Sequence, residues 1–496
     1  MIQSGDNRER HTIPRWNSVY VSNVLGETSP IRKHVEQPQI INAEKEHLRE
    51  LLLEWKLEKS LPLAMEILPI GKMTGEEDIV KEIREYALQR VKQIEHPPAL
   101  LLEALDVRKE PEAPIDSRTN IARIKNSLTQ SPRNALDWCE LARNYLILGQ
   151  MKKSEHALMV ALHLAPSHRG ILRAVAQFYT HTGDLDRGLF YLRKSAVLLK
   201  DPWVLSSEIA LSNEFGRTSK FVKIGQEMLG DCNINPAALS ELASELGTMD
   251  FQDGNARRGR KKLEIAKKTL HENAMAQMIW INQRVYKIEN IIADITEPQY
   301  NYEAEAKQYI AGQDWKKAVK VIDLWQKYQP FSKTPAMDGS FIAADFLNDY
   351  ESSIKMLKTA MVSNPNDPGL INNYAYTQAL AGNLEKSFKK LSGVVRPTIE
   401  TANDVALNAT MGLCCYRSGR CEEGRRYYEN AIAQAHKIGQ HLLAYRAMLY
   451  FAREEYRIGH DISEQIEILL DSKNKSYFIP HQSLIEKFGF GISFFN

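Results

Sequence analysis

Large apolar residues recur through the middle of the chain with one long period. Trp138, Leu141, Ala142, Tyr145, Gly149, Leu158 and Ala161, a set closed by Pro166, return 34 residues later as Leu172, Val175, Ala176, Tyr179, Gly183, Leu192 and Ser195. Within each set the apolar positions stand three or four apart, which puts them on one face of a helix. Each glycine divides its set into two such stripes, so the pattern predicts pairs of helices joined by a tight turn. One pair cannot bury its stripe alone; stacked neighbours can.

This spaced set resembles the tetratricopeptide repeat, whose unit is 34 residues long and carries large, small and proline positions in this order. The resemblance implies an all-α fold: a right-handed α-solenoid of TPR helical hairpins, here preceded by a helical N-terminal region. Units are expected at about 135–168, 169–202, 202–235 and 240–273, then at 334–367, 368–401 and 405–438, with a weaker one beginning near 300 in which Gly312 sits one residue off the expected turn. A degenerate ninth hairpin with Phe451, Ala452 and Gly459 closes the series. The expected organisation is an extended or disordered arm over 1–45, a helical N-terminal domain over 46–131, a first array over 132–273, a long helix or hinge over 274–299, a second array with a capping hairpin over 300–472, and an apolar tail over 473–496. The tail holds Leu484, Ile485, Phe488, Phe490, Ile492, Phe494 and Phe495, too many large apolar side chains to stay in water, and is expected to dock on the last hairpin.

Composition narrows function only slightly. The 496 residues carry 64 Lys and Arg against 62 Asp and Glu, so no global field draws in nucleic acid. The N-terminus is polar and interrupted by Pro14, and no long apolar run follows, which leads to the expectation of a cytoplasmic protein. The five cysteines lack the paired spacing of a zinc site and are expected as structural thiols. No phosphate-binding loop, metalloprotease pair or nucleophile elbow occurs, and the chain is expected to be no enzyme and to hold no cofactor or metal. His156 and His163 stand seven apart on a predicted helix without a third ligand. The run Arg257, Arg258, Arg260, Lys261, Lys262 is interleaved by Ala256, Gly259, Leu263 and Ala266 at helical spacing, which makes it the solvated face of a repeat helix, with phosphate contact as the competing reading.

In repeats of this family the first helix of each hairpin lines a concave wall. On that frame the wall includes Arg143, Arg173 and Gln177 in the first array and Asn372, Asn373, Tyr376, Tyr416 and Arg417 in the second. Asparagine amides can hold a peptide backbone and tyrosines offer rigid contact area. The carboxylate clamp of the chaperone-binding members is absent, because Cys139, Arg143 and Ala174 occupy three of its positions. The favoured reading is a non-enzymatic scaffold or adaptor whose concave wall binds another protein or an extended peptide segment of one. A sensor or regulatory subunit of a multi-protein effector system, for example in bacterial defence, and an RNA-binding solenoid using the 257–268 cations remain as alternatives. On the favoured reading, alanine at Asn373, Tyr376 and Arg417 weakens partner binding and leaves the fold intact. The basic and aromatic stretch Arg8, Arg10, His11, Arg15, Trp16 and Tyr20 is the next candidate contact.

Overall fold

The computed structural model describes residues 41–57, 76–92, 116–130, 132–231, 236–268, 272–285, 301–395, 399–471 and 475–490, with short pieces at 59–60, 63–64, 67–68 and 71 and single residues 234, 270, 287 and 288. The N-terminal arm with Arg15 and Trp16, most of the expected hinge beyond 288, and residues 491–496 lie outside them. Among the described residues there are 23 α-helices and one π-helical turn. None of these helices is long and apolar enough to cross a membrane.

The chain divides into two compact units, one ending at Gln308 and the other running from Tyr309. In the first, α1 (Ile41–Leu57) and α2 (Glu77–Val91) enclose a small core of Leu48, Leu51, Trp55, Ile67, Leu68, Ile83 and Ala87. Helix α3 (Ser117–Gln130) packs on the first repeat hairpin, α4 (Ala135–Ile147) with α5 (Met151–Leu164). Next come α6 (Arg169–Thr182) with α7 (Leu185–Lys194), α8 (Pro202–Glu214) with α9 (Val222–Gly230), and α10 (Pro236–Gln252) with α11 (Ala256–Lys267), followed by α12 (Glu272–Arg284). The second unit begins inside α13 (Tyr302–Ala311). It continues with α14 (Trp315–Tyr328), α15 (Thr334–Phe341) running into the π turn Ile342–Phe346, α16 (Tyr350–Ser363), α17 (Pro368–Leu380), α18 (Leu384–Leu391), α19 (Ala402–Arg417), α20 (Cys421–Lys437), α21 (His441–Arg457), α22 (Ser463–Leu470) and α23 (Lys475–Phe488).

Hairpins stack through their first helices: α6 on α8, α8 on α10 and α10 on α12 in the first unit, and α15 on α17, α17 on α19 and α19 on α21 in the second. The turn glycines Gly149, Gly183, Gly216, Gly254, Gly382, Gly419 and Gly459 all have φ between 69° and 83°, the left-handed conformation a side chain resists. Two hairpins lack such a glycine, and there Gln313 (φ 58°) and Asn348 (φ 55°) take the position. Gly312 was one residue too early because the turn residue is its neighbour.

Several hairpins close at a small residue on the second helix. Ser154 Oγ donates to Ala142 O at 2.7 Å and Ser387 Oγ to Ala375 O at 2.7 Å, each spanning 12 residues. Gly424 fills the same place against Gly412, where an added Cβ would lie 2.9 Å from the Gly412 carbonyl oxygen. In the α15 hairpin the bond runs from Ser353 Oγ to Ser340 O and spans 13. The extra residue is absorbed by the π turn, in which Leu347 N–H reaches back five residues to Ile342 O.

Candidate functional site

That inserted turn places Asp345 inside the face shared by the first helices of the second unit. Its Oδ1 accepts from the Tyr376 hydroxyl on α17 at 2.6 Å and its Oδ2 from the Tyr450 hydroxyl on α21 at 2.8 Å. Burial pushes both phenols well above their ordinary pKa, so they remain donors. Arg453 Nη1 donates to the Tyr376 oxygen at 2.8 Å, and its guanidinium lies 5.0 Å from the Tyr450 ring centroid and 5.2 Å from that of Phe488. One turn of α21 further on, the fully buried Glu454 accepts from Arg417 at 2.8 and 3.0 Å, from Arg453 at 2.9 Å and from Arg457 at 3.0 Å. Burial alone would raise its carboxyl, but the three guanidinium groups outweigh it and hold the pKa below the ordinary carboxylate value. Glu455 behaves alike: burial is overcome by the Tyr416 hydroxyl, His460 and Arg425.

The expected wall residues therefore sit within the packing. Asn372 and Asn373 are fully buried, Asn372 Nδ2 donating to Asn373 Oδ1 at 3.2 Å while its Oδ1 accepts from Thr410 at 2.7 Å. Tyr376 and Tyr416 are buried and Arg417 holds Glu454. The expectation that alanine at Asn373, Tyr376 and Arg417 spares the fold is corrected on this ground, since each change removes a partner from a buried polar group. In the first unit, Arg173 is buried in a two-pronged pair with Glu241 at 2.6 and 2.9 Å and lies 4.7 Å from the Trp203 ring centroid. Arg143 is buried with an ion pair to Glu140 at 3.7 Å, and Gln177 is half-buried. Asp345, Tyr450, Arg453 and Glu454 were missed; the run Arg453, Glu454, Glu455 inside the apolar stripe of α21 was the one signal.

The basic run occupies α11. Arg257, Arg258, Arg260 and Lys261 are exposed, whereas Lys262 is half-buried and pairs with Asp250 at 2.7 Å. His156 and His163 are both exposed on α5. Cys139, Cys414 and Cys415 are buried and form no disulfide; burial pushes Cys414 and Cys415 up to about 11, which disfavours the thiolate at neutral pH. Cys232 lies outside the described residues.

A crevice opens on the same face beside the Asp345 network, enclosing about 380 Å³ of space that includes open solvent. Val405, Ala406 and Ala409 of α19 and Leu443 and Ala447 of α21 supply its apolar lining, with Tyr376, Thr410, Arg446 and Tyr450 as the polar-tipped members. Helix α23 passes along it. Its buried His481 accepts from Arg446 Nε at 2.8 Å, and its Phe488 ring lies 6.0 Å from Tyr450. The described part of the tail thus docks within its own chain, with Leu484 and Ile485 each 1 % exposed; Ile492, Phe494 and Phe495 lie outside the described residues.

No family model matches the sequence and no curated protein matches it. Solved structures similar to the chain include yeast Tom70, at 13% identity over 75% of this chain and 93% of that one with a TM-score of 0.31. Human IFIT1 in a dimer with PPP-AAAA is 16% identical over 76% of this chain and 95% of that one, TM-score 0.37. Naa15/Naa10 bound to HypK is 12% identical over 90% of this chain and 81% of the matched chain, TM-score 0.25. The described residues of this chain are all-α, a series of stacked helical hairpins.

Proposed function

We propose that the protein is a non-enzymatic adaptor that grips another protein at the crevice between α17, α19 and α21. The observation that carries this reading is the crevice itself: an apolar recess with Thr410, Arg446 and tyrosines at hand, on a face where the first helices of three successive hairpins meet. Apolar recesses with a few fixed polar groups are where a partner's anchoring side chain gains most on desolvation. The neighbouring ion pairs hold the recess in shape before anything binds, which lowers the ordering cost of association.

The test is to fill the recess. Ala409→Trp places a large ring in it from a partly exposed position on α19. Tagged full-length protein is expected to retain its melting temperature within a few degrees and lose the proteins that copurify with the wild type. Recovery of the same proteins in the same amounts, at unchanged melting temperature, places recognition elsewhere.

A further inference from the structure

Helix α23 is held along the crevice by four kinds of contact. Leu484 and Ile485 are buried; His481 takes the Arg446 N–H; Phe488 packs on Tyr450 and under Arg453; and Lys487 Nζ donates to the carbonyl oxygen of Asp345 and, at 2.8 Å, to Asn348 Oδ1. Two of these anchors, Arg446 and Tyr450, also line the crevice. The Lys487 contacts land on the π turn, so the ammonium reads a feature that the other hairpins of this unit do not have. At the same time the main packing of α23 is limited to α21, α22 and that turn. Glu486 and Lys487 stay exposed. An element with so few neighbours is among the first to open locally.

We propose that α23 is a self-ligand: the groove it occupies is a receptor for an amphipathic helix bearing a Leu-Ile-x-Lys-Phe pattern, and a partner helix of that chemistry takes the place of α23 on binding. This rests on the reading of the crevice as the partner site and adds what the partner looks like. Leu and Ile at adjacent positions, with Phe at i+4 and i+3, form one apolar stripe, and Lys between them reaches the carbonyl and amide acceptors at the rim. Partial burial and Arg453 lower the pKa of the Lys487 ammonium against the pull of Asp345, and geometrically its hold on the turn is two hydrogen bonds at a solvated rim. That favours exchange over permanent closure.

The probe is a synthetic, fluorescently labelled peptide of residues 475–490, titrated against the full-length chain. The variant Lys487→Glu with Phe488→Ala weakens the cis helix and leaves the groove residues unchanged. It is expected to bind the peptide at least tenfold more tightly than the wild type does; equal affinity, or no binding by a variant that melts as the wild type does, overturns the proposal. Should the variant misfold, hydrogen exchange on the wild type decides. Amides of 481–488 in the full chain are expected to lose protection as unlabelled peptide is added to about 1 mM, and unchanged protection overturns the proposal. If Ala409→Trp abolishes partner binding while Lys487→Glu with Phe488→Ala leaves partner affinity unaltered, the crevice reading stands and the self-ligand falls.

Discussion

Replacing Glu454 by glutamine keeps the shape of the side chain and removes its charge. In the folded protein that carboxylate is 0 % exposed and receives four N–H donors from three arginines at 2.8–3.0 Å. Glutamine has one oxygen acceptor where there were two, and its amide group presents hydrogens to guanidinium N–H groups. Breaking a buried ion pair from one side costs about 3–5 kcal/mol. The lower end applies here, because the side chains of Arg417 and Arg457 are 25 % and 41 % exposed and water can take over part of their solvation. A loss of about 3 kcal/mol corresponds to roughly 6–12 °C in melting temperature for a unit of this size.

Thermal and urea melts followed by circular dichroism, wild type against Glu454→Gln, give the number. The pH dependence supplies an independent check. The folded pKa of Glu454 lies below the ordinary value of 4.5, so its stabilisation is fully present above that value and is lost as the pH falls through the folded pKa. The gap between the two proteins should therefore close as the pH drops below about 4.5. A loss under about 1 kcal/mol at pH 7, on the scale of an exposed ion pair, would refute the claim that this network holds the second unit together.

His168 caps α6 by accepting the Ile171 N–H, and burial, assisted by Arg169, pushes its pKa from 6.5 down to about 4. The first unit should accordingly lose up to about 3 kcal/mol as the pH falls from 6.5 to 4, and His168→Asn, which can still cap, should flatten that loss in acid melts. Gly424→Ala puts a Cβ 2.6 Å from Tyr416 Cδ2 and 2.9 Å from Gly412 O; with Tyr416 held by Glu455 the ring cannot yield, so a cost of about 1–3 kcal/mol is expected, and a stabilised protein would contradict it. Gln313→Gly relieves a left-handed residue at an exposed turn and should raise stability by about 0.5–1 kcal/mol in urea melts, whereas destabilisation would show that the φ of 58° carries no strain.

The 34-residue frame made the hairpins legible because the residues that set it are the ones geometry leaves no choice about. Gly183 and Gly419 must adopt a positive φ, and Ser154 or Gly424 must let one helix touch the next. The frame went astray where a different residue could do the same work. Gln313 and Asn348 adopt the turn conformation without being glycine, and the residue inserted into α15 changes a 12-residue closure to 13 and keeps the 34-residue spacing only toward the next turn, at Gly382. A π turn has no signature in apolar periodicity, so Asp345 passed as one more polar residue near a helix end.

The candidate site was half legible for a related reason. Periodicity assigns Tyr376, Tyr416 and Arg417 to the first helices, and they lie on α17 and α19. It says nothing about how tightly successive hairpins curl, and curl decides whether that face is a wall or an interior. Here Asp345 and Tyr450, 105 residues apart, meet at 2.8 Å, which no count along the chain anticipates. Apolar stripes alone would tolerate small slips between hairpins, whereas Glu454 finds three guanidinium groups, and Asp345 two hydroxyls, in one arrangement only. Buried polar groups that fix register in this way trade some stability for a single geometry. A recess framed by such a network presents a preset shape to a partner, and the adaptable element is then left to the edge, where α23 lies against Arg446, Tyr450 and the π turn with Glu486 exposed.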